Sequence, residues 1–316
     1  MLKIVFLDST AIPKHIPIPR PKVEHEWIEY EQTSAEDVIE RMKEADIAVT
    51  SKVVFSREVM QQLPRLKLIA ITATGTNNVD LIAAKELGIC VKNVSGYSET
   101  TVPEHVLGLI FALKHSIMSW YRDQLSAKWA DCKQFCYFDY PITDVRGSTL
   151  GVVGKGCLGR EIGRLATALG MKVIYAEHKG ATHCREGYMP FEEVLQQADI
   201  LTLHCPLTEN TQNLMNKETF RLMKKGAYFI NTGRGPLVDD QALVDALESG
   251  HLAGAAVDVL SKEPPEKDNP IIQAAMRLPN LIVTPHVAWA SDSAVTTLVN
   301  KVTQNIEDFV HNELTA

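Results

Sequence analysis

Short apolar runs alternate with amphipathic stretches along most of this chain. Residues 3–7, 45–50, 68–72 and 89–93 are runs of strand length, and 35–43 and 80–87 carry helical spacing, the latter closed by Gly88. Such alternation predicts a parallel α/β sheet. A long helix then opens at Thr100 or Thr101, with Pro103 and Glu104 suited to its first turn. Val102, Val106, Leu109, Ile110, Leu113 and Ile117 form its buried stripe. Residues 119–146 are aromatic-rich and irregular, either a protruding arm or a surface loop with its own cluster. From Ser148 a second α/β pattern begins: strands at TLGVVG, KVIYAE, DILTLHC, AYFINTG, LAGAAVDVL and LIVTPH, and a last helix from near Ser291. No strong internal repeat interrupts this order.

The 316 residues suffice for about two domains. A net charge of −7 and no Lys/Arg run offer no face to nucleic acid. The opening residues read as a strand, not a signal peptide, and no apolar run is long enough to cross a membrane. Six cysteines lie scattered without a CxxC or a His/Cys cluster. That predicts free thiols, no metal and a cytoplasmic setting.

Gly154, Gly156 and Gly159 make GxGxxG after an apolar strand and before a helix. The motif gains specificity from that context, which suits a dinucleotide pyrophosphate resting on the helix N-terminus. Cys157 and Leu158 lie within it. Glu177 ends the next strand, 18 residues after Gly159, where a carboxylate accepts ribose hydroxyls and repels a 2′-phosphate. NAD is therefore the expected cofactor, with His178 and Lys179 as neighbours of opposite tendency.

Three further residues come after strands: Arg234 in INTGRG, Glu263 in VLSKEPP and His286 in LIVTPHVAW. Carboxyl ends of parallel strands open on one edge. Reduction of a 2-oxo acid needs a guanidinium fork on carboxylate and ketone, a proton donor, and a carboxylate to orient and stabilise the imidazolium. Each residue alone has a plain structural reading, as a surface charge or a satisfied loop histidine.

The segments GKGCLGREIGRLATALG, NTGRGPLVDDQALVDAL, AAVDVLSKEPP and TPHVAWAS resemble the D-isomer-specific 2-hydroxyacid dehydrogenases, as do TATGTNNVD and TTVPEHVLGLIFALK. The resemblance covers nearly the whole chain. It implies two Rossmann-like domains with the active site in the cleft between them: 1–99 plus 288–316 for substrate, and an inserted NAD-binding domain, 100–287. Arg234 would bind substrate, His286 would be the acid/base and Glu263 its partner. Asp258 would bond the nicotinamide amide, with Thr232 and Gly233 beside it. Thr101, Cys205, Pro206 and Thr211 would be further cofactor contacts. Thr74 and Gly75 would lie in the turn whose backbone amides take the substrate carboxylate; Lys52, after the second strand, either faces substrate or is a surface lysine. The 119–146 arm would bury against a second subunit in a homodimer. The HxAW form at His286 with NTGRG implies the hydroxypyruvate-reducing branch, acting on hydroxypyruvate and glyoxylate. Another D-2-hydroxy acid, such as lactate or 3-phosphoglycerate, or a nicotinamide-sensing binding protein on the same fold, are the alternatives.

Overall fold

A computed structural model describes residues 1–314. The chain is alpha/beta, with two all-parallel sheets in two compact units: Met1–Ser98 joined by the residues from Ala290 onward, and Glu99–Trp289. The first holds β1 (Leu2–Phe6), β2 (His25–Glu29), β3 (Ile47–Thr50), β4 (Leu68–Ile71) and β5 (Cys90–Lys92), in the order β2-β1-β3-β4-β5. β3 and β4 are buried at every position, as strands covered on both faces must be. The helix Leu81–Glu86 is capped by the Asp80 carboxylate and terminated by Gly88 at φ +70°. The helix Asp292–Phe309, capped by Ser291, returns to pack on β4.

The second unit contains β6 (Thr149–Val153), β7 (Lys172–Ala176), β8 (Ile200–Leu203), β9 (Ala227–Asn231), β10 (Leu252–Val257) and β11 (Leu281–Val283). Their order is β11-β10-β9-β8-β6-β7, which reverses direction at β6. Ligands of open α/β sheets bind beyond the strand carboxyl ends at such a reversal.

The long helix is shorter than its stripe suggests. It spans Thr101–Lys114, and Ser116 at φ +51° turns the chain into a separate helix, Ile117–Gln124. Ile117 therefore leaves the stripe and is half exposed. That second helix also occupies part of the segment expected to be irregular. Its Trp120 packs edge-on against Tyr137 and Tyr140, and Asp123 accepts from both tyrosine hydroxyls and from Lys128. No helix among the described residues is long and apolar enough to cross a membrane.

Candidate active site

One row of paired residues crosses the second sheet at its carboxyl edge: Ala176, Val153, Leu203, Asn231, Val257 and Val283. Many of the expected site residues of this unit come within a few positions of that row, while Glu263 and Thr211 lie farther along their loops and Thr101 opens a helix. Gly154 and Glu177 stand one residue beyond it, Cys205 two, and Arg234 and His286 three each. Strands two apart in a sheet stand roughly 10 Å apart. The loops carrying Arg234 and His286 flank the loop after β10, which carries Asp258 and Glu263.

The glycine loop comes directly after β6. Gly154 has φ +101°, and a Cβ there would lie 2.6 Å from the Cys205 amide nitrogen. A Cβ on Gly159 would lie 2.0 Å from the Gly154 carbonyl oxygen. Both glycines let backbone cross backbone, which larger residues forbid. Gly156 caps the helix Cys157–Ala168 and faces open space. The first amides of that helix have no partner within it, so they form an anion cradle. Cys157 is exposed in its first turn, while Leu158 packs on the core.

The candidate catalytic residues are held by their loops. His286 sits at φ +55°, a conformation costing a non-glycine residue roughly 1–2 kcal/mol. Asp258 enforces it: its carbonyl accepts from the His286 amide at 2.8 Å, and its carboxylate accepts from the amides of Val287 (2.9 Å) and Ala288 (3.0 Å). Trp289 donates its indole N–H to the His286 carbonyl at 2.8 Å. The imidazole Nδ1 meets Glu263 Oε2 at 2.6 Å, and Glu263 Oε1 accepts from the Leu260 amide at 3.0 Å. With Nδ1 donating to a carboxylate, Nε2 is the nitrogen left to face a reactant.

The Arg234 loop is clamped by Asn231, which the sequence presents only as a strand residue. Its buried side chain donates to the Arg234 carbonyl (2.9 Å) and accepts from the Gly233 amide (3.0 Å). Gly235 must be glycine, because a Cβ there would lie 1.9 Å from the Leu260 carbonyl. This contact locks the Arg234 loop to the segment whose amide holds Glu263.

Several expected contacts take other partners. Asp258 is buried, and its carboxylate accepts from the amides of the 287–288 turn and from the Thr284 hydroxyl, so it positions His286. Glu177 differs likewise. Its Oε1 accepts from the His178 amide and Arg185 Nη2, and its Oε2 from the amide and Nε of Arg185. At 3% exposure and with all four bonds made, that carboxylate is not presented to a ribose. The same bonds, chiefly those from the Arg185 side chain, hold its carboxyl down at about 2. Thr101 donates to the Ala288 carbonyl, the Gly233 amide is taken by Asn231, and Thr211 closes its own loop onto Pro206. Burial pushes the Cys205 thiol up to about 11, and the adjacent, half-buried His204 down to about 3, leaving both neutral near pH 7.

In the first unit, Lys52 and the 73–75 turn come after the paired strands β3 and β4 and so share one edge. Asp8 binds the amides of Ser51 and Lys52 there. Thr74 donates to the Val94 carbonyl, and the Lys52 side chain is exposed.

One buried polar atom in the second unit has no partner: the hydroxyl of Thr232, between Asn231 and Arg234. A buried orphan hydroxyl is costly unless a ligand completes it. With the open glycine cradle, it shows that the residues present fit a dinucleotide laid along this edge.

A parallel sheet reversing at β6, with a glycine cradle at the reversal and an imidazole–carboxylate pair farther along the edge, defines a dinucleotide-dependent oxidoreductase. Residues 107–288 match the D-isomer specific 2-hydroxyacid dehydrogenase NAD binding domain, and the chain belongs to that family; it is an NAD-dependent 2-hydroxyacid dehydrogenase. It is 75% identical to a putative 2-hydroxyacid dehydrogenase of Haemophilus influenzae, over 98% of each chain. It is 46% identical to the glycerate dehydrogenase of Methylorubrum extorquens, over 98% of this chain and 96% of that one. The fold superposes on an acyclic imino acid reductase solved with NADPH and D-Arg, at a TM-score of 0.83 and 27% identity, over 99% and 98% of the two chains.

Proposed function

We propose that this protein reduces hydroxypyruvate to D-glycerate, and glyoxylate to glycolate, and catalyses the reverse oxidations. The observation that carries this reading is the 2.6 Å His286–Glu263 pair, one strand across from Arg234, in a chain similar to a glycerate dehydrogenase. The nicotinamide, when bound, supplies the hydride. The Arg234 guanidinium presents a planar fork to the substrate carboxylate and the ketone oxygen, where it favours the charge that develops during reduction. Protonated His286 gives its Nε2 proton to that oxygen. Glu263 orients the ring and stabilises the imidazolium. In the reverse direction the same nitrogen takes the hydroxyl proton. The amides after Gly156 would hold the pyrophosphate, and the Thr232 hydroxyl would bond the nicotinamide side.

The test is a panel of hydroxypyruvate, glyoxylate, pyruvate and 3-phosphohydroxypyruvate with NADH. Hydroxypyruvate should give the highest kcat/KM. A preference for pyruvate or the phosphorylated acid would move the assignment to another D-2-hydroxy acid, and NADH binding without turnover of any would favour a sensor. The 119–146 arm supports a further reading, a homodimer built through that segment.

A further inference from the structure

The loop that presents His286 is held a second time, from the helix Thr101–Lys114. Two side chains one turn apart on that helix reach it. Thr101 donates to the Ala288 carbonyl at 3.2 Å, and His105 Nε2 lies 3.3 Å from the Thr284 hydroxyl oxygen. The helix is itself anchored by Val102, Val106 and Leu109, which are buried in the core of the second unit. Thr284 and Asp258 each stand one residue beyond a pair of strand ends, Val283 and Val257, which places them side by side.

The direction of the bonds follows from the hydrogens available. The Thr284 hydroxyl has one, and it goes to Asp258 Oδ1 at 2.5 Å. Its oxygen can then only accept from His105, so Nε2 carries a hydrogen. The result is a chain from imidazole N–H to hydroxyl to carboxylate, in which each bond polarises the next. It ends on the carboxylate that accepts from the 287 and 288 amides, in the residue whose carbonyl takes the His286 amide. The Asp258 side chain is 1% exposed, and a buried carboxylate is costly unless its charge is met. Among the described residues it has no lysine or arginine partner; the basic side chain beside it is His105, with Nε2 3.9 Å from Oδ1. The left-handed backbone of His286, at φ +55°, persists only while such contacts over-determine it.

We infer that His105 is a positioning residue for the acid/base: through Thr284 and Asp258 it holds His286 in the geometry that proton transfer needs. The inference rests on the reading of His286 as the proton donor. All four residues lie within the second unit. The Arg234 loop has a separate clamp, the Asn231 side chain, so substrate binding should not follow the loss of His105.

Steady-state kinetics and NADH binding test this, with whichever 2-oxo acid of the panel turns over fastest. His105→Leu keeps the bulk and removes the donor. Its kcat should fall by about tenfold or more, with KM for the 2-oxo acid and Kd for NADH within roughly threefold. His105→Gln, whose amide Nε2 can donate to the same hydroxyl, should restore kcat to within about threefold of wild type. Thr284→Val breaks the chain one link later and guards against a misfolded leucine variant. It should show the same loss, and the double variant should lose no more than either single one, because the two residues act as a unit. Near-wild-type kcat in both single variants, a glutamine variant as slow as the leucine one, or losses that multiply in the double variant overturn the inference. A rise in KM or Kd as large as the fall in kcat also overturns it, since a general loosening of the unit would do the same. Those results leave the acid/base reading standing while His286→Ala is slow; full turnover by His286→Ala overturns both.

Discussion

Single side chains here act through fixed neighbours, and their substitutions should separate by the groups each one touches. His286→Ala removes the proposed proton donor and should cut kcat for hydroxypyruvate reduction by about 10²–10⁴-fold, while the Kd for NADH by fluorescence stays within roughly threefold. Lost NADH affinity with normal turnover would refute the assigned role. Glu263→Gln retains the shape but not the charge behind Nδ1 (2.6 Å away), so the ring loses its charge-assisted anchor. The kcat for hydroxypyruvate reduction should fall by about tenfold or more with the Kd for NADH within roughly threefold, and an unchanged kcat would dissociate the pair from catalysis. Arg234→Lys replaces a fork with a point charge and should raise KM and lower kcat together.

At the level of strands and loops, much of the site is legible in the sequence and some is not. The glycine motif, Arg234, Glu263 and His286 can be found because each comes after an apolar run, and parallel strands deliver their succeeding loops to one edge. The partner of a carboxylate is not written in spacing. Glu177 stands where a ribose ligand belongs, yet Arg185, eight residues later in an irregular segment, reaches back to fill it. Family likeness gives Asp258 to the cofactor, and only coordinates reveal that it binds the 287–288 turn. The strand His25–Glu29 escapes detection because its alternation is weak and polar, as suits the edge position it holds in the sheet. The helix break at Ser116 leaves no mark, since serine rarely adopts a left-handed conformation and no glycine or proline announces it. The Glu177–Arg185 strut also predicts an acid response. Its carboxyl is held at about 2 in the folded protein against 4.5 ordinarily. The pair therefore contributes fully above about pH 4.5, and its contribution is lost as pH falls from there toward 2. Between pH 5 and 3 the wild type should lose more urea-unfolding stability than Glu177→Gln; equal losses would show that the pair adds nothing.

For the whole molecule, the apolar surface of the 119–146 segment points to a second copy. Phe135 and Phe138 are 87% and 81% exposed, and Leu125, Tyr121 and Trp129 lie in the same stretch, also exposed. Scattered surface apolar residues are ordinary, but a cluster of large ones within one segment marks an interaction site. The segment is also well built: Trp120, Tyr137 and Tyr140 pack together around Asp123, and Arg122 donates to the carbonyls of Ala275, Met276 and Leu278. An arm tied down this firmly while presenting phenylalanines outward suits the homodimer proposed above, in which a second copy would bury them. Charging that surface with Phe135→Asp and Phe138→Asp would leave the inner aromatic cluster untouched but bury two carboxylates in any such interface, at a cost of several kcal/mol. Sedimentation velocity should give a dimer for the wild type and a monomer for the double variant with unchanged far-ultraviolet circular dichroism. A wild type that sediments as a monomer, or a double variant that still dimerises, would remove the arm from the assembly.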